Sequence, residues 1–204
     1  MARHHLTLEE TRQMLLHVCR AMEASKDLLT QADKAIGDGD HGVGMARGFA
    51  AVRLQLETGR FSSLDELLRR VGLALMSSIG GAAGAIFGTL FRSGVANLGG
   101  AQTLGSPELA RFLQDGLQGV KDRGKARVGD KTVVDAELAE APLDQALPQV
   151  AEAAQEGMER TKRMVATVGK AKTLGERSLG HADPGAISLC LMLQAMVEYV
   201  TGEG

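Results

Sequence analysis

Within seven residues, Ile36-Gly37-Asp38-Gly39-Asp40-His41-Gly42, the chain gathers two carboxylates, an imidazole and three glycines, with Asp33 just upstream. Carboxylates two residues apart, in a stretch that glycines free from regular structure, can converge on one hard cation. A magnesium site serving a phosphate ligand is one reading. Asp33, Asp38 and Asp40 facing a diphosphate or triphosphate leave one Mg2+ far short of charge balance, whereas two Mg2+ ions come close to it. The plainer reading is a solvated Asp-Gly turn, and residue types alone leave the two open. His41 by itself suits a structural role. Beside the carboxylates, a contact to phosphate or to metal-bound water also fits.

Better-known signatures are present in form only. Gly37-x-Gly39-x-x-Gly42 fits G-x-G-x-x-G, but residues 30–35 read as a polar helix and two loop positions are acidic. As an EF-hand starting at Asp38, the loop has Val43 where glycine is required. Gly119-x-x-x-x-Gly124-Lys125 is followed by Ala126, so the metal-binding hydroxyl of a P-loop is absent. The small-residue stretch Ser77–Gly84 either offers N–H groups to phosphate at a helix N-terminus or lets helices pack closely. Arg177 and His181 either hold a ligand or organise their loop. Asp183-Pro184-Gly185 either joins a site or caps a helix.

The elements that must position these residues read as helices. Of 204 residues, 44% are hydrophobic, only 3% aromatic and four are proline, and strand-like runs are missing. This composition suits one domain, residues 1–204, of helices packed through small residues. Thr7-Leu8-Glu9-Glu10 and Ser63-Leu64-Asp65-Glu66 read as capping boxes. Helices follow from about Leu8, from Ser25 toward Ala35, over 43–57, from Leu64, through Phe87 and Phe91, and from Ser106-Pro107. Three more are expected near 132–139, over 143–168 and from Asp183-Pro184 to about Thr201, with a basic glycine-rich loop over 169–180. A net charge of -2 gives no pull toward nucleic acid or an anionic membrane. Cys19 and Cys190 read as reduced, buried thiols, and the absence of an apolar leader or a spanning run implies a cytoplasmic protein.

Taken together, IGDGDHGVGMARGF (36–49), SSIGGAAGAIFGTLF (77–91), GVKDRGKARVGDKTVVDA (119–136) and GERSLGHADPGA (175–186) resemble the nucleotide-binding L subunit of dihydroxyacetone kinases. The resemblance implies an all-α barrel of about eight antiparallel helices, with ADP or ATP at one end held through two Mg2+ ions. It makes Asp33, Asp38 and Asp40 the metal ligands. Given those ligands, Asp38 and Asp40 are expected to serve phosphoryl transfer, with Arg177 stabilising charge on the transferring group. The resemblance lines the nucleotide pocket with His41, Gly44, Ala82, Ala83, Gly124, Val133, Lys170, Asp183, Pro184 and Gly185, and places Ser77 and Ser78 nearby. It implies a separate K subunit carrying the hydroxyketone, a homodimer or hetero-oligomer, and a phosphotransferase-system phosphocarrier protein or a regulator as further partners. The family often has Asn at position 44, Ser at 83, Arg at 170 and an aromatic near 173. The alternatives it leaves are a kinase subunit for another keto-sugar and a non-catalytic nucleotide-sensing module.

Overall fold

Helices begin where the chain supplies caps. In the computed structural model, which describes residues 4–124, 141–166 and 170–202, Thr7 caps α1 (Leu8–Ala24). Its hydroxyl accepts the Glu10 N–H at 3.2 Å, and the Glu10 carboxylate accepts the Thr7 N–H at 2.8 Å. These bonds satisfy donors that a first helical turn leaves unpaired. Ser25 joins α1 to α2 (Lys26–Ile36), but its hydroxyl donates back to the Ala21 carbonyl, so it closes α1 rather than capping α2. α3 (His41–Thr58) ends at Gly59. At α4 (Leu64–Ser78) the expected capping box is half formed. Ser63 accepts the Glu66 N–H, while the Glu66 carboxylate turns to the N–H and hydroxyl of Ser62. α5 (Gly81–Gly94), α6 (Ser106–Gly124), α7 (Leu143–Thr161) and α8 (Pro184–Thr201) follow.

Three further expectations change. α7 stops at Thr161, short of 168, where the Thr161 hydroxyl donates to the Met158 carbonyl and accepts the Asp183 N–H at 3.0 Å. Residues 170–178, expected as loop, wind into 3-10 turns broken at Gly175. Two three-residue strands, β1 (His5–Thr7) and β2 (Thr103–Gly105), pair antiparallel with Leu6 opposite Leu104. The helix expected near 132–139 lies outside the described residues.

The architecture is otherwise all-α. α1 packs on α3, α3 on α4, α4 on α5, α5 on α6, α6 on α7, α7 on α8, and α8 back on α1, which closes a ring. α2 packs against α3, α8 and the 170–178 segment. Short links make α3, α4 and α5 antiparallel neighbours. The interior holds Met14, Met22, Phe49, Leu67, Leu75, Leu143 and Leu147, all nearly inaccessible. Small residues let the helices approach. A Cβ at Gly88 would lie 2.5 Å from the Met76 Cβ, and one at Gly116 would lie 2.6 Å from the Leu90 carbonyl oxygen. α8 alone among the described helices is long and apolar enough to cross a membrane by length and composition. Its Met192, Ala195, Val197 and Val200 are instead buried in the shared core.

Candidate functional site

Asp33 sits in the last turn of α2 and is 9% exposed. One of its carboxylate oxygens accepts the His41 N–H at 3.2 Å. A Cβ at Gly37 would stand 2.1 Å from the other oxygen, so only glycine leaves that carboxylate its place. Gly39 then turns the loop in the left-handed region, φ 79°. A Cβ at Gly42 would lie 2.1 Å from the Lys26 carbonyl oxygen, so the start of α3 presses directly on α2. The loop between them is thereby folded back over the end of α2. Oxygens of Asp33, Asp38 and Asp40 come within 4.8 Å of one another. Asp33 is the anchored member, while Asp38 and Asp40 are exposed.

The Lys170 ammonium donates to the carboxylates of Asp38 and Asp40, at 3.0 Å for Asp40. Its hydrogen bond holds the Asp38 carboxyl below the usual range, and the same pairing raises the Lys170 pKa. Hard oxygen donors gathered this closely, one of them already oriented by a backbone N–H, fit a divalent cation such as Mg2+. His41 is half-buried in this setting, and burial pushes its pKa down against the opposing pull of Asp33 and Asp183. Its Nε2 lies 2.8 Å from the hydroxyl of Ser188, and that hydroxyl donates to the Pro184 carbonyl at 3.0 Å. The pairing holds the imidazole against the start of α8.

The α4–α5 turn forms a second wall. Arg47 of α3 donates to the carbonyls of Ser78 and Ile79, both at 2.7 Å, and so closes the C-terminal end of α4. Gly80 (φ 80°) and Gly81 (φ 57°) then reverse the chain within two residues. Ala82 and Ala83 lie in the first turn of α5, where backbone N–H groups have no intrahelical acceptor. Gly44 belongs to this wall. A Cβ there would meet the Ile79 carbonyl oxygen at 3.1 Å, so the position seats the turn against α3. Gly44 follows Asp40 by one helical turn, and this places the acidic loop and the α5 N-terminus at the same end of α3. Ser77 and Ser78 are the last residues of α4, and the Ser77 hydroxyl donates back to the Leu73 and Ala74 carbonyls.

The remaining candidates divide. Asp183 caps α8 through the Ala186 N–H at 3.1 Å, with Pro184 in its first turn and Gly185 behind it. The cap reading thus holds, on the same helix start that carries Ser188. Arg177 is exposed at the end of the 170–178 segment, and it is Lys170 of that segment that reaches the acidic loop. Gly124 ends α6, and Val133 lies outside the described residues. Sequence reasoning missed Ser188 and Arg47. Ser188 stands one helical turn beyond Pro184, the single signal that could have found it. Arg47 contacts a turn some thirty residues on, and no local pattern marks it.

The DAK2 domain family matches residues 35–198. Over 183 residues the chain is 37% identical to "PEP-dependent dihydroxyacetone kinase 1, ADP-binding subunit DhaL" of Listeria innocua serovar 6a, covering 87% of this chain and 89% of that protein. Over 184 residues it is 38% identical to the "PEP-dependent dihydroxyacetone kinase, ADP-binding subunit DhaL" of Escherichia coli K12, covering 83% and 86%. Among solved structures, the dihydroxyacetone kinase from C. freundii in complex with AMP-PNP and Mg2+ superposes with a TM-score of 0.69 at 25% identity. That match covers 96% of this chain and 35% of the C. freundii chain, so this chain spans about a third of that kinase.

Proposed function

The chain belongs to the DAK2 domain family, and from that membership we propose that it is the nucleotide-binding subunit of a kinase for dihydroxyacetone or a related small hydroxyketone. The observation that carries this reading is the convergence of Asp33, Asp38 and Asp40 at the end of α3 whose Gly44 packs on the α4–α5 turn. In our reading these carboxylates hold two Mg2+ ions, which when bound neutralise phosphate charge and orient the phosphoryl group for transfer. Asp33 fixes the geometry, because its carboxylate is held by the His41 N–H. Asp38 and Asp40 are the more mobile ligands and, with Arg177, form the catalytic set. Lys170 changes partner from these carboxylates to phosphate.

The N–H groups of Ala82 and Ala83 receive phosphate oxygens, and Gly44 keeps the turn that presents them in place. His41, Ser77, Ser78, Gly124, Val133, Lys170 and Asp183 through Gly185 line the remainder of an ADP or ATP pocket. The acceptor hydroxyketone sits on a separate K subunit, and transfer occurs across that interface. A phosphotransferase-system phosphocarrier protein is the proposed source of phosphate, as the PEP-dependent relatives suggest. The cytoplasm is the proposed location.

A second reading, a nucleotide-sensing module without transfer, is favoured by Gly44 and Ala83, which offer no side-chain donor to phosphate. Reconstitution with a dihydroxyacetone-binding K subunit separates the two. ATP in one arm and a phosphorylated phosphocarrier protein in the other supply phosphate, and product formation is followed. The transferase reading expects product in one arm and none with Asp38→Ala, whose far-ultraviolet helical signal stays normal. Nucleotide binding without product in either arm favours the sensing module, and undiminished activity of the variant removes the metal assignment.

A further inference from the structure

On the outer side of α5, a cavity of about 500 Å3 opens between α4, α5 and α6. Arg69 comes from α4, Arg92 from α5 and Arg123 from α6, with Thr89 and Ser93 of α5 on the same lining. Three guanidinium groups carried into one concavity repel each other unless an anion lies among them. Only Arg69 is balanced locally, by Asp65 at 3.3 Å. Arg92 donates to the Met76 sulfur at 3.7 Å, and among the described residues neither it nor Arg123 has a carboxylate partner.

Thr89 lies on the same lining. It is 8% exposed, and its hydroxyl has no hydrogen-bond partner. A buried hydroxyl left unpaired is unfavourable, but this oxygen is closed off from the cleft surface, so the contacts to an anion come from the guanidinium groups and Ser93. The planar forks of arginine match the oxygens of phosphate two at a time. The volume falls in the range of small-molecule sites. Thr89 stands eight residues beyond Gly81, roughly 12 Å along α5 from its N-terminus. No residue of the acidic loop or of the α4–α5 turn lines the cleft.

We infer that this cleft is a second binding site, separate from the acidic loop, for the phosphate group of a small molecule. Arg92 and Arg123 clamp the phosphate oxygens, Arg69 adds charge at the rim, and Ser93 donates a hydroxyl hydrogen bond.

The test is an amide-resolved NMR titration of the full chain in EDTA, with inorganic phosphate in one arm and glycerol 3-phosphate in the other. The expected result is saturable shifts centred on Thr89, Ser93 and Arg92. Tighter binding of glycerol 3-phosphate identifies an ester ligand, and equal binding identifies free phosphate. The double variant R92Q/R123Q, at two exposed positions, keeps its helical signal and binds roughly ten- to a hundredfold more weakly. D38N keeps the full response. Shifts confined to the acidic loop or the α5 N-terminus, a response unchanged in R92Q/R123Q, or no response overturns the proposal.

Discussion

Lys170 answers to Asp38 and Asp40 across more than a hundred residues of chain. A lysine is a compact point charge that competes directly with a metal for the same oxygens, without the bidentate fork of an arginine. Removing it therefore has opposite effects on two ligands. Lys170→Met is expected to tighten Mg2+ binding severalfold in the absence of nucleotide, because the competing cation is gone. The same variant is expected to bind ADP more weakly in Mg2+, because a phosphate partner is lost. Calorimetric titration of each ligand reads both directions, and a variant that weakens Mg2+ binding contradicts the place given to Lys170. The cluster of carboxylates and glycines was legible early as a turn rich in charge, but a solvated Asp-Gly turn uses the same residue types, so spacing alone left its role open. The Lys170 pairing was not legible, because hydrogen bonds between segments so far apart leave no spacing to read.

The α2–α3 crossing turns that residue chemistry into a site. Gly42 lets α3 start against the Lys26 carbonyl and Thr30 of α2. Gly42→Ala puts a methyl group where backbone already stands. It is expected to cost about 1–3 kcal/mol and to lower Mg2+ affinity as well, since the loop rides on that crossing. Thermal unfolding with a Mg2+ titration checks it, and a variant with unchanged melting temperature contradicts the close approach. Helix starts were the legible part of this level. Thr7, Ser63 and Asp183 act within one turn of themselves, so local sequence defines them. Ends were less so. Apolar periodicity runs past Thr161, but α7 stops there because the Thr161 hydroxyl ties the chain to Asp183 at the start of α8. The β1–β2 pair was invisible, because three residues are too few to show alternation and their partners are nearly a hundred positions apart.

At the scale of the molecule, the ring closes where α1 meets α3 and α8, and Cys19 reports on that closure. It is 1% exposed, and burial pushes its thiol up to about 12, so almost no thiolate is present near neutral pH. Cys190 is half-buried and less strongly raised. Under native conditions a maleimide is expected to modify Cys190 first, with Cys19 reacting only as the whole helical signal is lost in denaturant. Mass spectrometry of the alkylated chain follows both. Rapid native labelling of Cys19 would mean that α1 separates locally and that the ring is not one cooperative unit. The all-α class was readable from composition, but the order in which the helices close was not, because each helix face is compatible with several neighbours.

The claim on which the rest depends is that Asp33, Asp38 and Asp40 join metal to nucleotide phosphate. Calorimetric titration of ADP into nucleotide-free protein, in Mg2+ and in EDTA, for the natural chain and for Asp38→Asn, tests it most directly. The account predicts binding by the natural chain in Mg2+, and at least a tenfold loss both in EDTA and in the variant. ADP binding that is equally tight in all of these conditions would contradict it.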